Sequence, residues 1–293
     1  MKVLYTTNGQ LPARKAGELL KALARTQNIE ITVLCVNTEE YLLPDGSFRP
    51  GEDNPTGTAA AEELLAETAE YFRGHGFSVE ISLSAGTPAQ EIVRITDEGQ
   101  FDLCVLGAGN QNWLGRFLLG STSTAVVHAT QTPVLVVHED PVMKDTLSVI
   151  VATDGSDYST SAIDTFCALA DPDKCSVLAI SVVQPAGTPV LEIGGSYFTR
   201  PLTEDQMLDL EALAQADVDK AIEQLRAAGF EATGRVLVGT AGTELLHAAD
   251  SEEADLVVAG SRGLGAFARV AVGSTSDQLV RHARATLLGS KDA

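Results

Sequence analysis

Short, nearly continuous apolar runs alternate with amphipathic stretches along the chain, and the whole alternation occurs twice. In the first part, Lys2–Thr7, Ile29–Val36, Phe77–Ser84, Asp102–Gly107 and Pro133–His138 read as strands. In the second, Leu147–Thr153, Cys175–Val183, Phe230–Val238 and Asp255–Gly260 do so, followed by a shorter run, Ala285–Gly289. A helix is predicted from about Ser156, where Ser and Asp side chains can cap the first turn. Across Glu204–Ala228, Leu208, Leu213, Ala216, Ala221, Ile222 and Leu225 fall near helical spacing, and Gly229 stops the run. Further helices are predicted over Gly242–Ser251 and from Ser274. Apolar strands alternating with amphipathic helices imply an α/β fold whose parallel sheet is covered on both faces. The prediction is therefore two repeated doubly wound domains, each a five-stranded parallel sheet. In such sheets a ligand sits outside the carboxyl ends of the strands, where the strand order reverses.

The duplication is visible residue by residue. Gly107 and Gly260 are 153 apart, and the same offset joins Arg73 to Arg226, Gly86-Thr87 to Gly239-Thr240 and Glu91 to Glu244. It also joins Asp102-Leu103 to Asp255-Leu256, Arg116 to Arg269, and Gly120-Ser121-Thr122-Ser123 to Gly273-Ser274-Thr275-Ser276. Upstream the register changes, since Asn8-Gly9 answers to Asp154-Gly155 at an offset of 146. The difference falls in two stretches that read as irregular, Asn37–Gly57 and Gln184–Thr203, where length changes cost little. The expected domains are residues 1–141 and 146–293, with the polar, proline-containing stretch His138–Asp145 as linker.

Composition narrows the class. The chain is 44% hydrophobic and 20% charged, which suits a globular protein, and no apolar run approaches the ~20 residues that span a bilayer. The N-terminus runs directly into a strand-like segment without a signal-peptide pattern, so a cytoplasmic location is expected. The four cysteines, Cys35, Cys104, Cys167 and Cys175, form no C-x-x-C pair and read as small buried hydrophobes. The net charge is −20, spread as −9 up to Pro141 and −11 beyond it. Such a surface opposes nonspecific binding to nucleic acid or anionic membranes, and a phosphate must be held locally.

The chemistry concentrates in the second repeat. Its fourth strand leads into Gly260-Ser261-Arg262-Gly263, then nine residues to Gly273-Ser274. Glycines let backbone approach a phosphate, and a helix opening at Gly273-Ser274 turns free N–H groups and its positive dipole end to an anion. Ser274, Thr275 and Ser276 add hydroxyls, or simply cap the helix. Asp154, after Ala152-Thr153 at the end of the first strand, can accept from ribose hydroxyls or hold Mg²⁺. Val182-Val183 offer an apolar wall and backbone groups to a base. Arg116 and Arg269 could reach a terminal phosphate or stand as solvated loop residues, and Trp113 could cover the site or pack beneath its loop.

The pattern Gly260-x2-Gly263-x9-Gly273-Ser274, together with Asp154, resembles that of the universal stress protein family, and the resemblance covers nearly the whole chain twice. It implies an adenine-nucleotide α-hydrolase-like fold and, in ATP-binding members, a site for ATP with Mg²⁺. It further implies dimerisation through the fifth strand and a role in stress tolerance. The implied contacts are Ala152, Thr153, Asp154, Val182, Val183, Gly260, Arg262, Gly263 and Gly273–Ser276, with Asp154 as the candidate metal ligand. The first repeat departs from the pattern. Asn110 stands where the second glycine belongs and Asn8 replaces the aspartate, so Asn8, Val36, Gly107, Asn110, Gly120, Ser121 and Thr122 form a weaker set. Because Ala285–Gly289 is shorter than the first repeat's last strand, the pairing of the two copies into a pseudo-dimer is expected to be asymmetric, and a homodimer stays open.

No G-x4-G-K-[S/T], dinucleotide fingerprint or G-x-S-x-G elbow occurs, and the five histidines lack metal-ligand spacing. No general base or activated nucleophile is visible near Gly260–Ser276, so at most weak ATPase activity is expected. Two functions remain: an ATP-binding stress-response regulator, and a scaffold of the same fold that binds protein partners without nucleotide.

Overall fold

The computed structural model describes residues 1–26, 28–38, 40–42, 48–50, 55–108, 120–138, 146–185, 188–193, 196–200, 202–263 and 272–290. Asn110, Trp113, Arg116 and Arg269 lie outside them. In the first half the order is β1 (Lys2–Thr6), α1 (Leu11–Leu23), β2 (Glu30–Asn37), β3 (Glu40–Leu42), β4 (Phe48–Pro50), α2 (Pro55–Gly74) and β5 (Ser78–Ala85). It continues with α3 (Pro88–Glu98), β6 (Leu103–Gly107), α4 (Ser121–Ala129) and β7 (Val134–Val137). The second half runs β8 (Leu147–Ala152), α5 (Asp157–Leu169), β9 (Cys175–Val183), β10 (Thr188–Ile193), β11 (Ser196–Arg200), α6 (Glu204–Ala227) and β12 (Glu231–Val238). It ends with α7 (Ala241–Ser251), β13 (Leu256–Ala259), α8 (Ser274–His282) and β14 (Ala285–Leu288).

Ten strands share one sheet in the order β12-β9-β8-β13-β14-β7-β6-β1-β2-β5. Within each half the pairing is parallel, and strand order reverses between β1 and β6 and between β8 and β13. Because side chains alternate across a strand, Val3 and Tyr5 enter one core while Leu4 enters the other. Helices α1, α2, α5 and α6 cover the first core and α3, α4, α7 and α8 the second. Each core runs through both halves, so the two copies fold as one sheet with two continuous apolar layers.

The halves meet where β14 pairs antiparallel with β7, at Ala285↔Val137, Thr286↔Val136, Leu287↔Leu135 and Leu288↔Val134. This corrects the expected asymmetry. The connection from α8 into β14 is residues 283–284, whereas that from α4 into β7 is residues 130–133. The offset therefore drops to 151 at the last strand, and a comparison held at 153 makes a full-length strand look short. Further contacts cross between the halves. The Arg25 Nε–H donates to Ala170 O at 2.9 Å. The His138 N–H donates to Arg284 O at 2.8 Å, and its ring lies 2.7 Å from Val280 O. His138 thus belongs to the seam and not to the linker.

The stretches read as irregular each contain a short antiparallel hairpin, β3-β4 and β10-β11, paired only with itself. Gly194-Gly195 stand between β10 and β11 in the sequence, a residue pair that favours tight hairpins. Several recurring residues prove to hold the fold. Asp102 Oδ2 accepts from the Lys2 N–H at 2.7 Å and Asp255 Oδ2 from the Ser148 N–H at 2.9 Å. Arg73 donates to Val79 O at 2.9 Å and Arg226 to Ala232 O at 2.8 Å, closing the same turn in both copies. The cysteines are free, and burial pushes the Cys104 and Cys175 thiols up to about 12, which leaves them unreactive. Among the described residues no helix is long and apolar enough to cross a membrane, and no group of three or more His, Cys, Asp and Glu could hold a metal.

Candidate functional site

At the reversal between β8 and β13 lies a cavity of about 550 Å³. The chain leaves β8 through Ala152, Thr153 and Asp154, then turns into α5 at Gly155, whose φ of 73° is the left-handed conformation glycine favours. Asp154 Oδ1 accepts from the Ser156 N–H at 3.1 Å and the Ser156 hydroxyl at 2.5 Å. Ser156 Oγ in turn accepts from the Ser159 N–H at 3.2 Å, capping α5 as the sequence suggested. The aspartate is held by the same turn that starts the helix, so its orientation is fixed before any ligand arrives.

The far wall is the loop after β13. A Cβ at Gly260 would come 2.9 Å from Ser159 N and one at Gly263 would come 2.6 Å from Asp154 Oδ2. Gly260 is thus required by the backbone packing of the loop against the start of α5, whereas at Gly263 the near atoms are those of the Asp154 carboxylate. Gly273 differs. Among the described residues a Cβ there would meet nothing closer than Arg262 Cα at 3.6 Å, an ordinary contact, and its φ of −70° suits any residue. Its bareness is not explained by packing against the described residues.

Gly273 is the N-cap of α8 and offers no side-chain cap, so the first turn of α8 opens on the cavity. Ser274 and Thr275 line it. Ser276 lines it too, but its hydroxyl donates to Gly260 O at 2.7 Å and ties the helix to the strand end. That hydrogen is already committed. Arg262 stacks its guanidinium 5.6 Å from the Tyr158 ring centroid and donates to the Tyr158 hydroxyl at 3.3 Å. Its Nε is buried with no hydrogen-bond partner among the described residues, a costly state that a ligand acceptor would relieve.

One candidate falls away from the cavity. Val182 lines it, but strand alternation turns the neighbouring Val183 aside, and Val183 contributes its carbonyl to the Gly239 N–H. Six lining residues were missed: Ser159, Ile180, Gln184, Ala241, Leu245 and Ala259. Ile180 and Gln184 could have been found from Val182 by the strand's period of two.

The first half carries a matching cavity of about 540 Å³, lined by Asn8, Val36, Gly107, Gly120, Ser121 and Thr122 among others. Its turn is built alike: Asn8 Oδ1 accepts from the Gln10 N–H at 3.1 Å, and Gly9 has φ 74°. Ser123 donates to Gly107 O at 3.2 Å, as Ser276 does to Gly260 O. The geometry is retained while the carboxylate is replaced by an amide.

The sequence profile of the universal stress protein family matches residues 1–138 and again residues 147–288. The chain belongs to the universal stress protein family. A universal stress protein of Mycobacterium bovis is 29% identical over 219 residues, covering 74% of this chain and 70% of that one. One from Mycobacterium tuberculosis is 31% identical over 195 residues, covering 65% of this chain and 62% of the relative. In structure, a universal stress protein from Archaeoglobus fulgidus superposes with a TM-score of 0.66 at 21% identity, covering 99% of this chain and 98% of that one. A universal stress protein solved in complex with cAMP aligns with 51% of this chain at 24% identity and a TM-score of 0.37.

In this universal stress protein a second carboxylate stands beside the aspartate. Asp217, on α6, lies so close to Gly155 that a Cβ there would overlap its carboxylate. Burial, then the facing Asp154, hold the Asp217 carboxyl above its ordinary range. A raised carboxylate disfavours the folded state once the unfolded-state group ionises, and the penalty grows as pH rises through the folded value and is full above it. Asp217→Asn is therefore expected to raise the melting temperature of the nucleotide-free protein at pH 7. The gain should shrink toward zero as pH falls below the ordinary carboxylate range, about 4. Thermal unfolding of both proteins across that range measures it.

Proposed function

We propose that this universal stress protein binds ATP in the cavity of its second half and acts in the stress response as a nucleotide-dependent regulator. In this reading hydrolysis is slow or absent. The observation that carries the reading is Gly273, left bare at an uncapped helix N-terminus although no described residue stands in the way of a side chain there. A glycine that packing does not require is accounted for by a phosphate approaching the backbone closely. The unpartnered Arg262 Nε on the same cavity supports the same reading.

In this reading the triphosphate lies along Gly260, Arg262, Gly263 and Gly273–Thr275, the ribose beside Thr153 and Asp154, and the base against Ile180 and Val182. Oxygen ligands suit a hard divalent cation, and in this reading Asp154, which lines the cavity, would hold Mg²⁺ brought in with the nucleotide. The metal would offset phosphate charge in a protein of net charge −20. Calorimetric titration with ATP and Mg²⁺ tests this. Saturable binding that weakens in Asp154→Asn is the expected outcome, and no binding at millimolar ATP contradicts it.

A second reading, a partner-binding scaffold, has one observation in its favour. Leu208 and Leu213 on α6 are 63% and 65% exposed, two large apolar side chains with no cover among the described residues. A partner held there would be retained unchanged when the nucleotide cavity is blocked.

A further inference from the structure

A cavity of a different kind, about 300 Å³ in volume, opens between α1 and α2 in the first half. It lies on the opposite face of the sheet from the cavity at the strand reversal. Its floor residues Tyr5 and Phe72 belong to the core that α1 and α2 cover, whereas Leu34 and Leu106 of the other cavity belong to the second core. Its volume is at the lower end of the range, about 300–1,000 Å³, in which pockets hold small molecules.

The second half shows what the floor replaces. At the matching positions of the repeat, Val151, Ile163 and Leu225 stand where the first half has Tyr5, Gly17 and Phe72. Aliphatic packing gives way to two rings in edge-to-face contact, with 5.0 Å between centroids. Gly17 makes room for them, since a Cβ there would come 3.1 Å from the Tyr5 hydroxyl oxygen and 3.4 Å from Phe72 Cζ. A glycine inside a helix costs about 1 kcal/mol relative to alanine, so the aromatic floor is made at the expense of α1. The Tyr5 hydroxyl is satisfied by donating to Ala13 O at 2.6 Å. Leu64 adds an apolar wall where the second half has Asp217.

The remaining walls carry charge of both signs. Glu18 is already satisfied, because its Oε1 accepts from the Tyr71 hydroxyl at 2.6 Å and its Oε2 from the Lys21 ammonium at 2.5 Å. Arg14 on α1 and Glu67 on α2 differ. Both are exposed residues lining the cavity, and among the described residues neither makes a hydrogen bond or an ion pair. Burial holds the Tyr5 hydroxyl well above its ordinary pKa, and the Arg14 guanidinium is near enough to oppose that shift. Their counterparts in the second half are Thr160 and Lys220, so no such cation and carboxylate face each other at those positions.

We propose that this cavity binds a free apolar α-amino acid, with its side chain on Tyr5, Phe72 and Leu64, its carboxylate at Arg14 and its ammonium at Glu67. An apolar acid without the amine would bring its carboxylate beside Glu67. An apolar amine would bring its ammonium beside Arg14. A zwitterion meets both, and its zero net charge spares it the repulsion that a chain of net charge −20 exerts on anions. The site requires no nucleotide and stands whether or not ATP binds in the second half.

Calorimetric titration of the full chain with L-phenylalanine and with L-leucine tests this, beside phenylpropionate and phenethylamine, which each lack one of the two charges. At least one of the amino acids should saturate a single site at millimolar concentration or below, about tenfold or more tighter than either analogue. Arg14→Gln and Glu67→Gln should each weaken that amino acid by about tenfold or more, through loss of a charge-assisted contact. Glu67→Gln should at the same time leave phenylpropionate bound at least as tightly as before, which a damaged fold would not do. Thermal unfolding of each variant shows that it is folded. The proposal is overturned if neither amino acid binds at millimolar concentration or if the analogues bind as tightly as the amino acids. It is overturned equally if either glutamine variant binds the amino acid unchanged.

Discussion

Gly273→Val is expected to lower affinity for ATP with Mg²⁺ by at least ~100-fold, or about 2.7 kcal/mol, while the protein stays folded. The two effects separate because of where the glycine sits. Its backbone is in an ordinary conformation, and the nearest described atoms to a Cβ are Arg262 Cα, Ser261 O and Ser276 Oγ at 3.6–3.9 Å. Valine at an N-cap is a poor replacement for glycine and costs about 1 kcal/mol of helix stability. In a chain of this size that lowers the melting temperature by only a few degrees. The branched side chain would project into the space over the first turn of α8, where the proposed reading puts the phosphates. Gly260→Val would be a poor substitute, because it forces the loop off α5 and confounds binding with folding. Calorimetry with ATP, run beside thermal unfolding, measures both quantities. Equal affinity in the variant would mean that nothing approaches this backbone.

The second large effect is structural. Leu287→Ala is expected to cost about 2–5 kcal/mol, because the side chain is fully buried in the core where β14 pairs with β7. Its partner across the seam, Leu135, is fully buried as well, so the hole opens on both halves. Denaturant unfolding gives the size of the loss. Amide exchange gives its distribution, and faster exchange should appear in β6 as well as β13, because each flanks the seam. Acceleration confined to the second half would show that the halves are independent units sharing only an edge.

Much of this architecture is legible in the sequence. Cys175–Val183 is a strand over the residues its apolar run suggests, and the Glu204–Ala228 helix ends within a residue of its expected limit. Gly229, with φ 97°, stops that helix for the reason a sequence reading supplies. Local signals of this kind survive because packing does not oppose them. The single ten-stranded sheet is not legible, since joining β7 to β14 depends on a shortening by two residues just before the last strand. A fixed repeat offset conceals that change. The β10-β11 hairpin was missed although Gly194-Gly195 announces it, because the surrounding proline, glycine and threonine suggested irregular chain.

The site divides in the same way. Asp154, Gly260, Gly263, Gly273 and the hydroxyls that follow are brought to one cavity as their motif implies. Val183 is not, because adjacent residues of a strand cannot face the same side. Asp217 carries no motif at all. It reaches Asp154 from a helix more than sixty residues away in sequence, and only the contrast with Leu64 at the same repeat position marks it out.

The most direct measurement of the central claim is site-resolved amide exchange on the full chain, with and without ATP and Mg²⁺. Binding in the second half predicts slowed exchange at Gly155, Gly263 and the first turn of α8, lost when Gly273→Val is introduced. Unchanged exchange at those amides under millimolar ATP would contradict it.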